Sequence, residues 1–460
     1  MSEILSEAEV SMLLDLYMYT DYKYAKDNMT LGEIIKDMPN HIDVKDAYYR
    51  EYTILAQAVE NPQVGELKIC MQSRNMGYND GTNAVAFVNA ENNNTYIVFR
   101  GTADGEWPDN GIGMTVNGTT QQKQALNYFD KVVNKLKLTE KDTVYISGHS
   151  KGGNKVQYIT MESDNYKIID ACYSVDGQGH SDTAVKEWKE RYSKKEYSER
   201  VDKIYGINGE NDFVSPLGCG IILASHISYV KTGGSPTDFA NYHDLTAMYA
   251  GNTLGDDGEL YTTYNAKRNA YALKRGEFGD FIEALSDELM QLPCDKRDGV
   301  AFSLMQSIEK LNGGRKIGIN GEKAGLSDYY EFLVYGVSAI VGTVGKNGGL
   351  ELLSDFLKKK SFDQRMSSSV FVRVNYNALY ELAHQHISEL KNIEMEARTI
   401  ADLSEGVPLS YNQKTYRSQQ IGNSVRNIKR ISMDLRSLIN LELEAASAYK
   451  SFDNLSMELA

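Results

Sequence analysis

The stretch that decides the fold is VYISGHSKGG, residues 144–153. It begins as a β-branched and aromatic run, passes through Gly148, Ser150 and Gly152, and leads directly into a segment with helical spacing. A Gly-x-Ser-x-Gly pattern between a strand and a helix is typical of a sharp turn that exposes a serine Oγ, with glycines leaving room for neighbouring backbone. The stretch therefore predicts a nucleophilic Ser150; the alternative is that residues 148–153 form only a tight turn.

Short β-rich runs alternate with amphipathic segments on both sides of this stretch. The alternation predicts an α/β domain whose helices cover a largely parallel sheet. The predicted strands are 84–88, 95–99, 143–147, 168–175, 201–207 and 227–230, and the predicted helices between them are 121–136, 151–161 and 183–194.

The β pattern fades after residue 277, and the rest of the chain has helical spacing. Apolar residues follow one face of a helix over 379–400, a break containing Pro408 follows, and near-heptad spacing continues over 425–459. These segments predict a helical hairpin that either docks onto partner helices or packs on its own α/β domain. The predicted organisation is an α/β domain (1–265), a helical connector (266–345) and the hairpin region (346–460).

Length and composition exclude several classes of protein. A chain of 460 residues is too long for one ordinary core, so two domains or a domain with an appendage are expected. The net charge of −14 gives no reason to expect nucleic-acid binding. The four cysteines stand singly, which indicates neither a disulfide framework nor a structural zinc site, and no metal or cofactor is predicted.

The N-terminal residues 1–24 are acidic where a secretory signal would be basic, so no cleaved signal peptide is predicted. The longest apolar stretches, 217–230 and 332–344, are shorter than the roughly 20 residues that a membrane-spanning helix needs.

A reactive serine needs a base to take its proton and an acid to orient that base. In the α/β-hydrolase order the acid follows the serine at the end of a later strand. Asp212, in the loop after the predicted strand 201–207, is the first candidate, while Glu210 and Asp176 are alternatives.

The base should be a histidine further along the chain. His243 follows the last predicted strand and is the first candidate, with His226 and His180 as alternatives. His149 adjoins the serine on the same turn, and His41, His384 and His386 lie outside the predicted sheet region.

Two donors should stabilise the oxyanion that forms on an attacked carbonyl. The first is the backbone N–H of Lys151, and the second is Thr102, which ends the strand 95–99 through Arg100 and Gly101. The following residues, 103–120, include apolar side chains and glycines, and we expect them to form a mobile loop that covers an acyl chain.

With these residues in place, residues 1–265 resemble the class 3 lipase branch of the α/β hydrolases, and more closely the Mbeg1-like group. The matching motifs are FRGT at 99–102, GHSKGGN at 148–154 and GENDFV at 209–214. The resemblance implies that Ser150 is the nucleophile, Asp212 the acid, His243 the base and Thr102 an oxyanion donor. Lys151 stands where the family usually has leucine, which leaves the polarity of the site mouth open but not the chemistry, since the oxyanion donor is a backbone N–H.

Together with the C-terminal hairpin, the whole chain is similar to type VII-secreted lipase toxins that carry an LXG-like targeting region. That resemblance implies hydrolysis of membrane phospholipid or related acyl esters, small helical chaperones bound to the hairpin, and an immunity protein. It also implies secretion without a cleaved signal peptide, and a cytoplasmic location is the alternative.

The sequence thus predicts a serine lipase or esterase, of phospholipase A type if the resemblance holds. The rival hypothesis is a non-enzymatic hydrolase-fold scaffold that acts through its C-terminal helices. Amide or thioester cleavage by the same residues is a second enzymatic alternative.

Overall fold

A mixed sheet forms the centre of the molecule. The computed structural model describes residues 4–301, apart from positions 21, 46–47, 77, 79–82, 103–105, 115, 233–241, 255–259, 294–296 and 298–299. The predicted hairpin region, and most of the predicted connector, lie outside the described residues. The strands are β1 (Leu67–Gln72), β2 (Ala84–Asn89), β3 (Thr95–Phe99), β4 (Val144–His149), β5 (Ile169–Val175), β6 (Ile204–Gly209), β7 (Ile227–Val230), β8 (Ala250–Leu254), β9 (Leu260–Tyr264) and β10 (Tyr271–Ala272).

The order of the eight-stranded sheet is β1-β2-β3-β4-β5-β6-β7-β10, and β8 pairs with β9 in a separate hairpin. Strands β3 to β7 are parallel to one another, whereas β1, β2 and β10 are antiparallel additions at the two edges. This arrangement confirms the predicted α/β class. Since the carboxyl ends of parallel strands share one edge, the loops after β3, β4, β5 and β6 all emerge on the same side.

Helices cover both faces of the sheet. They are α1 (Glu7–Met18), α2 (Leu31–Asp37), α3 (Tyr49–Ala58), α4 (Pro62–Gly65), α5 (Trp107–Gly113), α6 (Thr120–Leu136), α7 (Lys151–Glu162), α8 (Asp182–Arg191), α9 (Lys194–Val201) and α10 (Glu277–Met290). One core joins α1, α2 and α3 to the sheet face that carries Val98, and the other joins α6, α7 and α8 to the face that carries Ile97 and Phe99. The alternation of side chains along β3 explains this division.

Strands β1, β8 and β9 were not predicted, and three predicted segments differ in the structure. The predicted helix 183–194 is two helices, because Ser193 caps α9 by accepting the backbone N–H of Glu196 at 3.2 Å. Val201 therefore ends α9, and the predicted strand 201–207 begins only at Ile204. Strand β10 lies within the segment predicted as a helical connector, and it belongs to the central sheet because it pairs with β7.

No helix in the described part of the chain is both long and apolar enough to cross a bilayer.

Candidate active site

Ser150 lies on a strained turn between β4 and α7. Its backbone angles are φ 60° and ψ −125°, a conformation that L-residues rarely adopt. A Cβ on Gly148 would lie 2.3 Å from the backbone carbon of Gly152, and a Cβ on Gly152 would lie 2.1 Å from the carbonyl oxygen of Phe99. Only glycine fits at these two positions, so the predicted turn is present with the packing that its sequence pattern requires.

Three predicted residues meet at this turn. Ser150 Oγ lies 2.8 Å from His243 Nε2, and His243 Nδ1 lies 2.7 Å from Asp212 Oδ1. Because an ionised carboxylate only accepts hydrogen bonds, His243 carries its hydrogen on Nδ1, and Nε2 is left to accept the serine proton. The side chain of Asp212 is fully buried, while that of His243 remains 12% exposed and reaches solvent at one edge.

The loop after β6 holds Asp212 in place. Its Oδ1 accepts the backbone N–H of Val214 at 3.2 Å, and its Oδ2 accepts that of Ser215 at 2.6 Å. The neighbouring Phe213 ring packs on His243 with centroids 5.3 Å apart. These contacts fix both the carboxylate and the imidazole that it orients.

The alternative bases lie elsewhere. His226 stacks on Tyr205 at 4.5 Å just before β7, at the opposite end of the parallel strands from Ser150. His180 packs edge-on against Trp188 at 4.9 Å, and burial lowers its pKa to about 3. The imidazole that reaches Ser150 is that of His243.

The alternative acids do not bond to His243. Asp176 is buried at the end of β5, where its Oδ1 accepts the backbone N–H of Gly209 at 2.7 Å. Glu210 uses its backbone N–H to bond the carbonyl of Val230 at 2.9 Å, and its side chain is half-buried. Of the three acids, Asp212 makes the hydrogen bond to the imidazole.

Donors for an oxyanion flank the serine. Lys151 is the first residue of α7, so its backbone N–H is one of those that a helix leaves without an intrahelical acceptor. Thr102 follows β3, and its Oγ1 accepts a hydrogen bond from Asn110 Nδ2 at 2.8 Å. The Thr102 hydroxyl thus keeps its own hydrogen for a further acceptor.

The side chain of Lys151 does not line the mouth of the site. It is buried, and its Nζ pairs with Asp109 Oδ2 at 3.0 Å and with the Asp109 carbonyl at 3.2 Å. Lys155, one turn later, donates to the carbonyl of Arg100 at 3.1 Å, and burial lowers its pKa to about 8. The Lys151 ammonium therefore ties α5, which lies within the predicted covering loop 103–120, to α7.

His149 is also part of the site, although its position beside Ser150 in the sequence did not predict a role for its side chain. Tyr19 donates its hydroxyl hydrogen to His149 Nδ1 at 2.6 Å, and the His149 ring lies 4.8 Å from that of His243 at an angle of 30°. Burial, and secondly His243, hold the pKa of His149 well below its usual range, so this imidazole is neutral. Tyr19 is 130 positions away along the chain, and only the fold brings it close.

The potential ligand atoms of His149, Asp176 and His243 lie within 4.8 Å of one another. His149 Nδ1 is, however, already engaged by the Tyr19 hydroxyl at 2.6 Å. Both nitrogens of His243 are also engaged by Ser150 and Asp212. Hydrogen bonding explains this cluster better than a cation does.

Fold and site together define an α/β-hydrolase-type domain with a lipase-like Ser-His-Asp arrangement. Residues 59–209, about a third of the chain, match the model of the Mbeg1-like family, which confirms the predicted resemblance over that segment. The matched segment contains Thr102, Ser150 and Lys151 and ends before Asp212 and His243.

Several solved lipases are similar in structure. A fungal lipase in an inhibitor complex is 14% identical, with 49% of this chain and 77% of that chain covered and a TM-score of 0.29. The Rhizomucor miehei lipase in its propeptide complex is 16% identical, with 49% and 66% covered and a TM-score of 0.30. Lip2 lipase from Yarrowia lipolytica is 12% identical, with 52% and 80% covered and a TM-score of 0.29. No curated protein matches the sequence.

Proposed function

We propose that the protein is a serine esterase of lipase type that hydrolyses acyl esters of lipids. The observation that supports this most directly is the chain of hydrogen bonds from Ser150 through His243 to Asp212, 2.8 and 2.7 Å long, at a strained strand-to-helix turn. A serine held in this way is activated by its base, and a binding scaffold has no need of it.

In the first half of the reaction, Ser150 Oγ bonds to the ester carbonyl carbon while His243 Nε2 takes the serine proton. The negative charge moves to the carbonyl oxygen, where the backbone N–H of Lys151 and the Thr102 residue donate to it. Asp212 stabilises the imidazolium. The alcohol then leaves with the proton from His243, and the acyl group stays on Ser150.

In the second half, His243 accepts a proton from water as the water oxygen attacks the acyl carbon. The bond between Ser150 Oγ and the acyl carbon breaks, the serine regains the proton, and the carboxylic acid leaves. The exposed edge of His243 is where water enters.

The substrate that we propose is a membrane phospholipid cleaved at an acyl ester, as a phospholipase A does. The motifs shared with class 3 lipases, FRGT at 99–102 and GHSKGGN at 148–154, support a lipid ester as the substrate. The resemblance of the C-terminal region to LXG-like segments further supports a role as an antibacterial effector exported by a type VII route. Small helical chaperones would then bind residues 346–460, and an immunity protein would protect the producer.

Substitution of Ser150 by alanine tests the catalytic assignment. With the nucleophile removed, kcat on medium-chain p-nitrophenyl esters and on phosphatidylcholine vesicles should fall by about 10³-fold or more. Ser228→Ala, on β7 and away from the site, is the matched control and should keep its activity. Equal activity of the Ser150→Ala and wild-type proteins would reject the assignment.

A fluorophosphonate probe separates the enzyme from a non-enzymatic scaffold, since an unactivated serine does not react with it. We expect labelling on the peptide that contains Ser150 and its loss in His243→Gln. Rates on matched ester, thioester and amide substrates then define the bond that is cleaved.

A further inference from the structure

A second acid lies beside the catalytic one and takes no part in the mechanism above. Asp176 ends β5 in a left-handed backbone conformation, with φ 46°, and its side chain is wholly buried. It belongs to a polar network that continues from Tyr19 through His149 toward Asp212 and His243. The sequence offered Asp176 only as an alternative to Asp212, yet the fold places both at the site.

The two oxygens of Asp176 have different surroundings. Oδ1 accepts the backbone N–H of Gly209 at 2.7 Å. Oδ2 lies 3.6 Å from His149 Nε2, and it accepts no hydrogen bond from any donor among the described residues. Oδ2 is thus the oxygen on which a proton would sit.

The groups that face Asp176 offer it no positive charge in the resting site. His149, from β4, is neutral because burial, and secondly His243, hold its pKa well below its usual range. Asp15, from α1, brings no positive charge either: it is fully buried, it accepts the Ser147 hydroxyl at 2.9 Å, and burial raises its pKa well above its usual range. His243 accepts from Ser150, and no described Lys or Arg forms an ion pair with Asp176.

The two acids meet at Gly209, whose N–H donates to Asp176 Oδ1 at 2.7 Å and whose carbonyl accepts the backbone N–H of Asp212 at 3.1 Å. Two ionised carboxylates at this buried place would repel each other with little screening. The number of hydrogen bonds that each carboxyl group accepts determines which of the two keeps the negative charge. Asp212 accepts three hydrogen bonds, from His243 and from the backbone of Val214 and Ser215, whereas Asp176 accepts only one. Hydrogen bonds to the charged form stabilise it, so the negative charge belongs on Asp212.

We propose that Asp176 is a positioning residue that holds a proton on Oδ2 and donates it in a hydrogen bond to Asp212. The buried acid pair then carries one negative charge, on the carboxylate that orients His243. Burial, and secondly the nearby Asp212, raise the pKa of Asp176 well above its usual range, in agreement with this assignment. The role rests on the proposed esterase function, whereas the proton on Asp176 does not depend on it.

Two substitutions at the same position test the role. Asparagine has nearly the shape of aspartic acid, tolerates the left-handed conformation, and offers an N–H in place of the acid O–H. Glycine accepts the same backbone angles without strain but offers no donor. We expect kcat of Asp176→Asn to stay within about threefold of wild type, and that of Asp176→Gly to fall about 10- to 100-fold with little change in KM, the range for a hydrogen bond to a charged group.

The Asp176→Asn variant also tests the opposite model, in which the reaction requires an ionised Asp176. Asparagine cannot ionise, so a kcat close to that of wild type would exclude this model. A loss of kcat in Asp176→Asn as large as in Asp176→Gly would overturn the proposal. Far-ultraviolet circular dichroism shows whether each variant folds, and the near-isosteric asparagine variant keeps the test decisive if the glycine variant does not fold.

Infrared spectroscopy of the full-length protein at neutral pH tests the proton directly. Exposed carboxyl groups are ionised there, so the carbonyl band of a protonated carboxylic acid reports buried acids. We expect this band in the difference between the spectra of wild type and Asp176→Asn. The same difference, taken between Asp15→Asn and Asp15→Asn/Asp176→Asn, should also show the band, so that Asp15 is not its source. A difference spectrum without the band would overturn the proposal, while an inactive wild-type protein that shows the band would reject only the esterase function.

Discussion

At the scale of single residues, His180 shows how burial alone gives a side chain an effect on stability. Its Nε2 has no hydrogen-bond partner among the described residues, and its ring packs on the buried Trp188. Burial lowers the pKa of His180 to about 3, whereas an unfolded histidine titrates near 6.5. Between these values the unfolded chain binds a proton that the folded chain does not.

The sign of the resulting pH dependence follows from that difference. Above pH 6.5 His180 is neutral in both states and does not change the free energy of unfolding. Below pH 6.5 protonation of the unfolded chain lowers the free energy of unfolding, by about 1.4 kcal/mol for each pH unit. The His180→Gln variant has no titrating group at this position. The amount by which the free energy of unfolding of wild type exceeds that of the variant should therefore fall by about 1.4 kcal/mol per pH unit from pH 6.5 to 4.5. Urea unfolding at several pH values measures it, and a constant difference would contradict the prediction.

The order of the proposed catalytic residues was predictable, but the network around them was not. Ser150 has a local glycine pattern, and Asp212 and His243 follow it in the order that the α/β-hydrolase arrangement requires. Tyr19, His149 and Asp176 show no such pattern, because their roles arise from contacts made across the sheet.

At the scale of elements, the turn between β4 and α7 depends on the close approach of two backbones. An added methyl at Gly148 would overlap the backbone of Gly152. Gly148→Ala should lower the free energy of unfolding by about 1 to 3 kcal/mol or prevent folding, as overpacking does. Gly220→Ala is the matched control, because nothing lies within 4 Å of a Cβ there. Thermal unfolding compares the two, and equal midpoints would contradict the prediction.

The attachment of α5 to α7 depends on a buried ion pair between Asp109 and Lys151, whose side chains are 10% and 0% exposed. Removal of one partner leaves the other charge buried without a counter-charge, so Lys151→Met should lower the free energy of unfolding by about 3 to 5 kcal/mol. The double variant Lys151→Met/Asp109→Leu should recover most of that loss, since an apolar pair needs no compensation for buried charge. Denaturant titration measures both, and additive losses would argue against the pair.

Elements with strong local patterns were predicted well. Helix α6 follows its apolar spacing and begins after Thr119, which forms a capping box with Gln122. The two-residue strand β10 and the break before α9 were missed. Both depend on tertiary pairing or on a single capping serine, and so produce no periodic pattern in the sequence.

At the scale of the whole molecule, net charge should influence the choice of membrane. With a formal charge of −14, the protein is repelled by anionic surfaces at low salt. Hydrolysis should therefore be faster on phosphatidylcholine vesicles than on phosphatidylglycerol vesicles, and the difference should narrow as added salt shortens the Debye length from about 10 Å at 0.1 M. Fatty-acid release at low and high salt measures this. The prediction would be contradicted if hydrolysis were faster on phosphatidylglycerol vesicles at low salt and this preference disappeared at high salt. Such a result would show that the charge of the membrane-facing surface outweighs the net charge.

The reach of α1 into the site has a consequence for synthesis of the protein. Tyr19 contacts a histidine 130 positions later, and Ser150 bonds to a histidine another 93 positions downstream. A growing polypeptide on the ribosome therefore has no complete reactive centre until His243 has emerged, well after α1 and the serine turn have left the exit tunnel. Translation itself thus delays the moment at which the proposed Ser-His-Asp site is complete.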